Sequence, residues 1–287
     1  MRTRWAGWLF VLPALAVHGV FVLRPLALVA QYSLYRWDGV GPAVWVGWAN
    51  YAAVLTDPDL RRPLLNALLL VVCFVAGPVT IGLALAAALR PAPALQPASA
   101  RPLSTLLLVL PQAVPPIAAG LAWSVLLSST GAVNRALDAI GLESLTRAWL
   151  GDSTTALTAV GLIGAWSLLG LCALLLSAGV RRLDPALYEA ARLDGAGRWR
   201  EFRAVTLPGV RREVGACVVI TSLAALSSFD VVYVTAKGGP GGSTAVPALE
   251  VFHLAFTERA VGTASALAVV LVVLVLAAIT PVLRWSR

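Results

Sequence analysis

An all-α integral membrane protein, a bundle of six transmembrane helices with a charged helical loop at its inner face, is the fold class the sequence predicts. Three observations lead there. Of the 287 residues, 59% are hydrophobic and 13% charged, with a mean hydropathy of +0.83, against roughly 25% charged in an average soluble domain. The apolar residues fall in uncharged runs, and about twenty helical residues suffice to cross a bilayer. The charges collect between those runs, most densely over residues 184–208.

The elements follow in order. Residues 5–23 are uncharged and follow Arg2 and Arg4. A signal peptide has a shorter apolar core and a small-residue cleavage site. Here the run continues through Pro25 to Tyr35 with only Arg24 interrupting, so a retained first helix is expected. A charge deep in lipid costs at least about 2.5 kcal/mol, so Arg24 is expected to snorkel outward or to face the bundle. Residues 36–62 are polar and carry the turn signals Asp38-Gly39, Gly41-Pro42 and Asp57-Pro58. They are expected outside, which makes residues 1–62 a first helix with an external loop and leaves 63–283 for the remaining spans.

The second span is predicted over 64–89, followed by a Pro- and Ala-rich link at 90–101. The third, 102–127, holds Pro111, Pro115 and Pro116. Such prolines free backbone carbonyls that need other partners in lipid, which predicts a helix broken near a pathway or kinked for packing. Residues 128–152 are polar and expected outside, and 153–180 form the fourth span. The fifth, 214–236, carries Asp230 near its outer end; Lys237 to Gly242 then turn the chain, and 247–259 form a short amphipathic segment. The sixth span is 260–283.

Charge assigns the orientation. Six spans put both termini on one side, and placing them inside with the 90–101 link and the 184–208 loop collects about fourteen of the 22 basic residues there. The positive-inside rule then makes that side the cytoplasm. The net charge of +8 therefore reads as a topology signal; no soluble basic face suited to nucleic acid is present.

Catalytic chemistry has little to work with. His18 and His253 stand at opposite ends of the chain without paired carboxylates, and no zinc-protease or Ser-His-Asp pattern can be assembled. Cys73, Cys172 and Cys217 lie inside apolar runs without metal-like spacing. The only lysine, Lys237, is flanked by Ala236 and Gly238, which excludes a phosphate-binding loop of the Gly-x-x-x-x-Gly-Lys type. The chain is predicted to be no enzyme, with no catalytic residue, no metal ligand and no nucleotide site.

The loop at 184–208 has the grammar of helix, turn, helix. Asp184 can cap, Pro185 suits the first helical position, and Gly195 can take the positive φ that ends a helix. A second short helix is expected over 197–206 before Pro208 interrupts it. Glu189-Ala190-Ala191, then Gly195, then Val205, Leu207 and Pro208 at this spacing resemble the cytoplasmic EAA loop of the membrane subunits of ATP-binding-cassette importers, where Ile is usual at the position of Val205. Further matches are similar to the carbohydrate branch of that family, the maltose and glycerol-phosphate permease-like proteins. These are Val46-Gly47-Trp48-Ala49-Asn50-Tyr51 before Asp57-Pro58, and Phe229-Asp230-Val231-Val232-Tyr233 running into Gly238-Gly239-Pro240, while Gly131-Ala132-Val133-Asn134 resembles the external Gly-x-x-Asn step of the family as a whole.

The resemblance implies a type I importer fold with an ABC permease domain over 63–283, in a bacterial inner membrane. It implies that ATP and magnesium are bound by separate ATPase subunits. It also implies a second homologous permease, an extracytoplasmic solute-binding protein and a sugar substrate as partners beside membrane lipid. The coupling residues would be Tyr188, Glu189, Ala190, Ala191, Asp194, Gly195, Trp199, Phe202, Leu207 and Pro208. Tyr188, Leu193, Trp199 and Phe202 would supply apolar anchors for a groove, with Arg192, Arg198 and Arg200 at its rim. Ser167, Ser228 and Asp230 fall where the family's translocation pathway runs. The same architecture could carry a peptide or polyol, and a channel or membrane enzyme would need neither the loop nor an ATPase.

Overall fold

The computed structural model describes residues 3–88 and 110–286. The 90–101 link and the first part of the third predicted span lie outside the described residues. The chain forms two compact units, Met1–Arg61 with Glu250–Val273, and Arg62–Leu249 with Leu274–Arg287.

In the first unit, α1 runs from Thr3–His18 through a π-turn at Gly19–Leu23 into Arg24–Tyr32. Its stretch Phe10–Tyr32 is long and apolar enough to span a membrane and buries none of its side chains within the chain. Arg24 is exposed on it. A two-stranded antiparallel hairpin follows, β1 (Tyr35–Arg36) on β2 (Val44–Trp45), and then α2 (Ala49–Thr56). Asn50 organises this region from a buried position, donating from Nδ2 to the Ser33 and Tyr35 carbonyls at 2.8 and 2.9 Å. A β-carbon on Gly262 would sit 1.9 Å from the Tyr35 carbonyl oxygen, so only glycine lets the last helix approach the hairpin.

Helix α3 spans Pro58–Ala88, six residues ahead of the predicted start at 64. The Asp57-Pro58 pair starts a helix here: Asp57 Oδ1 accepts from the Asp59 N–H at 2.9 Å and Pro58 fills the first position. The proline cluster does break the third span. Residues 110–113 are helical, Pro115 is extended with ψ 140°, and α4 (Pro116–Leu126) starts afresh. Asn134 on α5 (Ala132–Ala139) ties the next loop together, donating to the Ser128, Ser129 and Arg147 carbonyls and accepting from Trp149 Nε1.

Helix α6 (Ala156–Arg181) is the axis of the second unit, with 61% of its apolar stretch buried. Its N-terminal half packs Val160 and Ile163 with Leu70 and Phe74 of α3. Its C-terminal half packs Cys172 and Leu176 with Val79, Leu83 and Cys217. Gly164 faces the Phe74 ring so closely that a β-carbon would meet it at 1.9 Å; small residues at a helix contact let backbones approach in lipid.

Helices α7 (Pro185–Leu193) and α8 (Arg198–Glu201, a π-turn at Phe202–Thr206, Leu207–Gly209) make the charged loop. The predicted fifth span is two helices, α9 (Arg211–Leu226) and α10 (Asp230–Thr235). At the break, the Ser228 hydroxyl donates to the Ala225 carbonyl at 2.7 Å, a side-chain bond that competes with the helical ladder. The Gly-rich turn has positive φ at Lys237, Gly238, Gly241 and Gly242 and is held by Arg62 Nη1 on the Gly241 carbonyl and Asn66 Nδ2 on those of Ser243 and Ala245. Helix α11 (Pro247–Phe252, with a π-turn at His253–Thr257) leads to α12 (Val261–Trp285).

Among the described residues, four helices are long and apolar enough to span a membrane: Phe10–Tyr32, Pro58–Ala88, Ala156–Arg181 and Val261–Trp285. The third and fifth predicted spans do not add to these, the one described only from residue 110 and the other broken after Leu226.

Candidate functional site

The charged loop folds as an elbow. Asp184 Oδ1 accepts from the Ala186 N–H at 2.9 Å and Pro185 opens α7. The helix ends at Gly195 with φ +74°. The Ala196 N–H reaches the Ala191 carbonyl and the Gly195 N–H that of Arg192, the paired bonds of a Schellman motif. Nothing lies within 4 Å of where a Gly195 β-carbon would stand, so the requirement for glycine is set by the backbone alone.

Side-chain hydrogen bonds cross between the limbs. Arg192 Nε donates to Glu201 Oε1 at 2.8 Å, and the Tyr188 and Thr206 hydroxyls are 3.1 Å apart. Glu201 is buried, and its carboxylate pushes the Arg192 guanidinium pKa upward, chiefly through that hydrogen bond. The predicted roles shift accordingly. Tyr188 is buried and its hydroxyl faces Thr206 on the opposite limb. Arg192 is committed to Glu201 and does not stand as a free rim charge. Phe202 and Leu207 are half-buried against the core cluster of Val79, Leu83, Cys172 and Leu176. Trp199, 70% exposed, stacks on Phe202 with ring centroids 5.4 Å apart. The outward apolar surface therefore consists of Trp199, Leu193 at 89% exposure, and Leu187. Leu187 carries no motif signal, and its place one residue before Tyr188 turns it about 100° around α7 from the buried tyrosine.

Glu189 and Ala190 are exposed on α7, Ala191 is half-buried, and Asp194 is its C-cap. Pro208 does not end the second limb. A π-turn at Phe202–Thr206 precedes it, and helix continues to Gly209. The elbow joins the bundle at its base, where Arg182 pairs with Glu213 at 3.6 Å and Val210 is fully buried.

Of the residues predicted for the pathway, Ser167 lies on α6, Ser228 at the break and Asp230 at the start of α10. Ser167 donates to the Ile163 carbonyl at 3.1 Å and Ser228 to that of Ala225, so each spends its proton on its own helix. Asp230 is exposed at the first turn of α10, beside the break.

Comparison with known proteins gives this geometry a family. Residues 79–284 match the model of the family described as "Binding-protein-dependent transport system inner membrane component". The chain is 34% identical to a probable ABC transporter permease of Bacillus subtilis, YurN, over 94% of this chain and 92% of that one. It is 33% identical to the diacetylchitobiose uptake system permease NgcF of Streptomyces coelicolor, over 92% of this chain and 78% of that one. Among solved structures, a chain of a bacterial ABC transporter that imports the acidic polysaccharide alginate superposes with a TM-score of 0.80 at 20% identity, covering 100% of this chain and 96% of that one. With the family match over most of its length, the chain belongs to the inner membrane components of binding-protein-dependent transport systems and is a multi-pass permease subunit, not an enzyme.

Proposed function

We propose that the chain is one half of a sugar-conducting pathway and that its elbow is the lever on which separate ATPase subunits act. The observation that carries this is the division of labour within the elbow. Arg192–Glu201 and Tyr188–Thr206 lock its two limbs together, while Trp199, Leu193 and Leu187 are left outward. A helix presenting apolar anchors suits a groove on a partner. A bend braced internally and rooted on Val210 transmits a push as a rigid body, where a floppy one would absorb it. Glu189, Ala190, Ala191, Asp194, Gly195, Leu207 and Pro208 shape or edge this lever.

In this reading the bundle has six spans, both termini and the elbow are cytoplasmic, and ATP with magnesium stays on the partner. A second permease completes the pathway, and an extracytoplasmic binding protein delivers the solute. Sugar as the cargo is supported by the named uptake systems of the relatives, diacetylchitobiose for one and trehalose/maltose for another of Thermococcus litoralis at 29% identity. Asp230 is the strongest pathway residue, since a carboxylate accepts from several hydroxyls at once. Ser167 and Ser228 keep only acceptor lone pairs for a ligand.

Cysteine labelling tests the lever directly. With Cys73, Cys172 and Cys217 replaced, Arg198→Cys in intact cells should resist a membrane-impermeant maleimide and react only after permeabilisation. Labelling from outside would put the elbow beyond any cytoplasmic motor and end this reading.

A further inference from the structure

A cleft of about 380 Å³ opens between the hairpin and the start of α12, within the first unit, lined among others by Arg36, Trp37, Asp38, Arg259, Gly262 and Thr263. Its charges are mixed and unspent. Neither Arg36 nor Arg259 pairs with a carboxylate among the described residues. Asp38 accepts the Val40 and Gly41 N–H groups at 3.0 and 2.7 Å, both on Oδ1, which leaves Oδ2 without a partner among the described residues. Those two bonds first, and Arg259 more weakly, hold the Asp38 carboxyl below the ordinary carboxylate range, so it is charged at neutral pH. Trp37 is a fixed wall: its Nε1 donates to the Gly41 carbonyl at 2.8 Å, and its ring lies 4.6 Å from that of Tyr32.

The cleft's level in the membrane is set by its neighbours. The first span ends at Tyr32 and the last begins at Val261, so it opens where both helices leave the hydrocarbon. Val40, Val44, Trp45 and Trp48 beside it are more than half exposed, and tryptophan with small apolar groups is the composition of the headgroup belt. A neutral sugar would leave two guanidinium groups unpaired. A simple anion would satisfy them and be repelled by Asp38. A ligand with a phosphate and a primary ammonium a few bonds apart satisfies all three, and a lipid surface supplies one at this depth.

We propose that this cleft binds the headgroup of a zwitterionic aminophospholipid, phosphate on Arg36 and Arg259 and ammonium on Asp38. The inference needs only that the two helices cross the membrane, so it stands apart from the cargo and from the direction of the elbow.

The test uses the assembled transporter in nanodiscs containing phosphatidylethanolamine, phosphatidylglycerol and phosphatidylcholine, with the lipid retained after detergent exchange quantified by native mass spectrometry. Phosphatidylethanolamine should be retained preferentially and should not be displaced by inorganic phosphate. The double variant R36Q/R259Q should lose about tenfold of that retention. D38N keeps an oxygen for the Val40 and Gly41 bonds and should abolish the preference over phosphatidylglycerol and phosphatidylcholine. Co-purification of the ATPase serves as the check that each variant is folded. Equal phosphatidylethanolamine retention by wild type and a folded R36Q/R259Q complex would overturn the proposal. So would unchanged lipid retention with weakened binding-protein affinity, which would assign the cleft to an acidic protein surface.

Discussion

Arg192 Nε donates to Glu201 Oε1 across 2.8 Å, joining a residue on the first limb of the elbow to one on the second. The acid is nearly buried, its side chain 6% exposed, while the arginine is 64% exposed. The buried partner is the one for which losing a bond costs more, because a buried carboxylate is harder to leave short of hydrogen bonds than a surface guanidinium. R192A should therefore loosen the elbow, lowering sugar moved per ATP hydrolysed in proteoliposomes. E201Q, whose amide oxygen can still accept from Arg192, should be the milder change. A larger defect in E201Q than in R192A would show that the pair is not what braces the bend.

Gly195 should tolerate asparagine and not valine. Its φ of +74° with open space around it means that the whole penalty is backbone, on the order of 1–2 kcal/mol for a branched residue in the left-handed region. G195V should insert into the membrane and assemble but hydrolyse ATP without transport, and G195N should restore coupling, since asparagine enters that region readily. Normal uptake by G195V would refute the hinge assignment.

Trp199 is exposed and its ring stacks only at the surface, so W199A should leave thermal stability unchanged. Association with the ATPase, read by titration of the solubilised permease, should weaken by about tenfold or more, as for a central aromatic anchor. R203A, at an exposed position on the same limb, should have a far smaller effect.

The α3–α6 contact predicts a stability effect independent of function. G164A drives a methyl into the Phe74 ring, whereas G77A on the facing helix meets Ala165 at an ordinary 3.6 Å. Overpacking of this kind costs about 1–3 kcal/mol, so G164A should lower the apparent unfolding temperature and G77A should not.

Asp230 should matter for cargo and Ser228 little. Losing an ionised acceptor for a sugar hydroxyl costs about 1.5–3 kcal/mol, so D230A should raise the KM for uptake about tenfold or shift selectivity. S228A should stay near wild type, because its hydroxyl already serves the Ala225 carbonyl. Unaltered kinetics in D230A would remove it from the pathway.

What could be seen in the chain beforehand was set by burial in lipid and by turn chemistry. Uncharged runs marked the spans, and Asp184-Pro185 with Gly195 marked the elbow, because a cap and a left-handed glycine act locally. The break at 227–229 was invisible, since two serines in an apolar run carry no breaker signal and act only through hydroxyl bonds to carbonyls. The inward turn of Tyr188 was equally hidden: α7 carries apolar residues on more than one side, Leu187 and Leu193 among them, and only the position of Thr206 on the other limb decides which side is covered. Arg61 and Arg62 disguised the first turns of α3 as loop. The clasp of Asn66 on the glycine turn spans well over a hundred residues of sequence, beyond the reach of any local pattern.

The contrast between the first long helix and the third sets how each can drift over time. Phe10–Tyr32 buries no side chain within its own chain, so apolar residues there can be exchanged for one another and a mutational library should accept most greasy replacements. Gly161 and Gly164 meet neighbouring side chains closer than a methyl allows, and Ala156–Arg181 should return almost none. A record of tolerated variants, laid along the chain, would thus tell a helix dissolved in lipid from one wedged among its siblings.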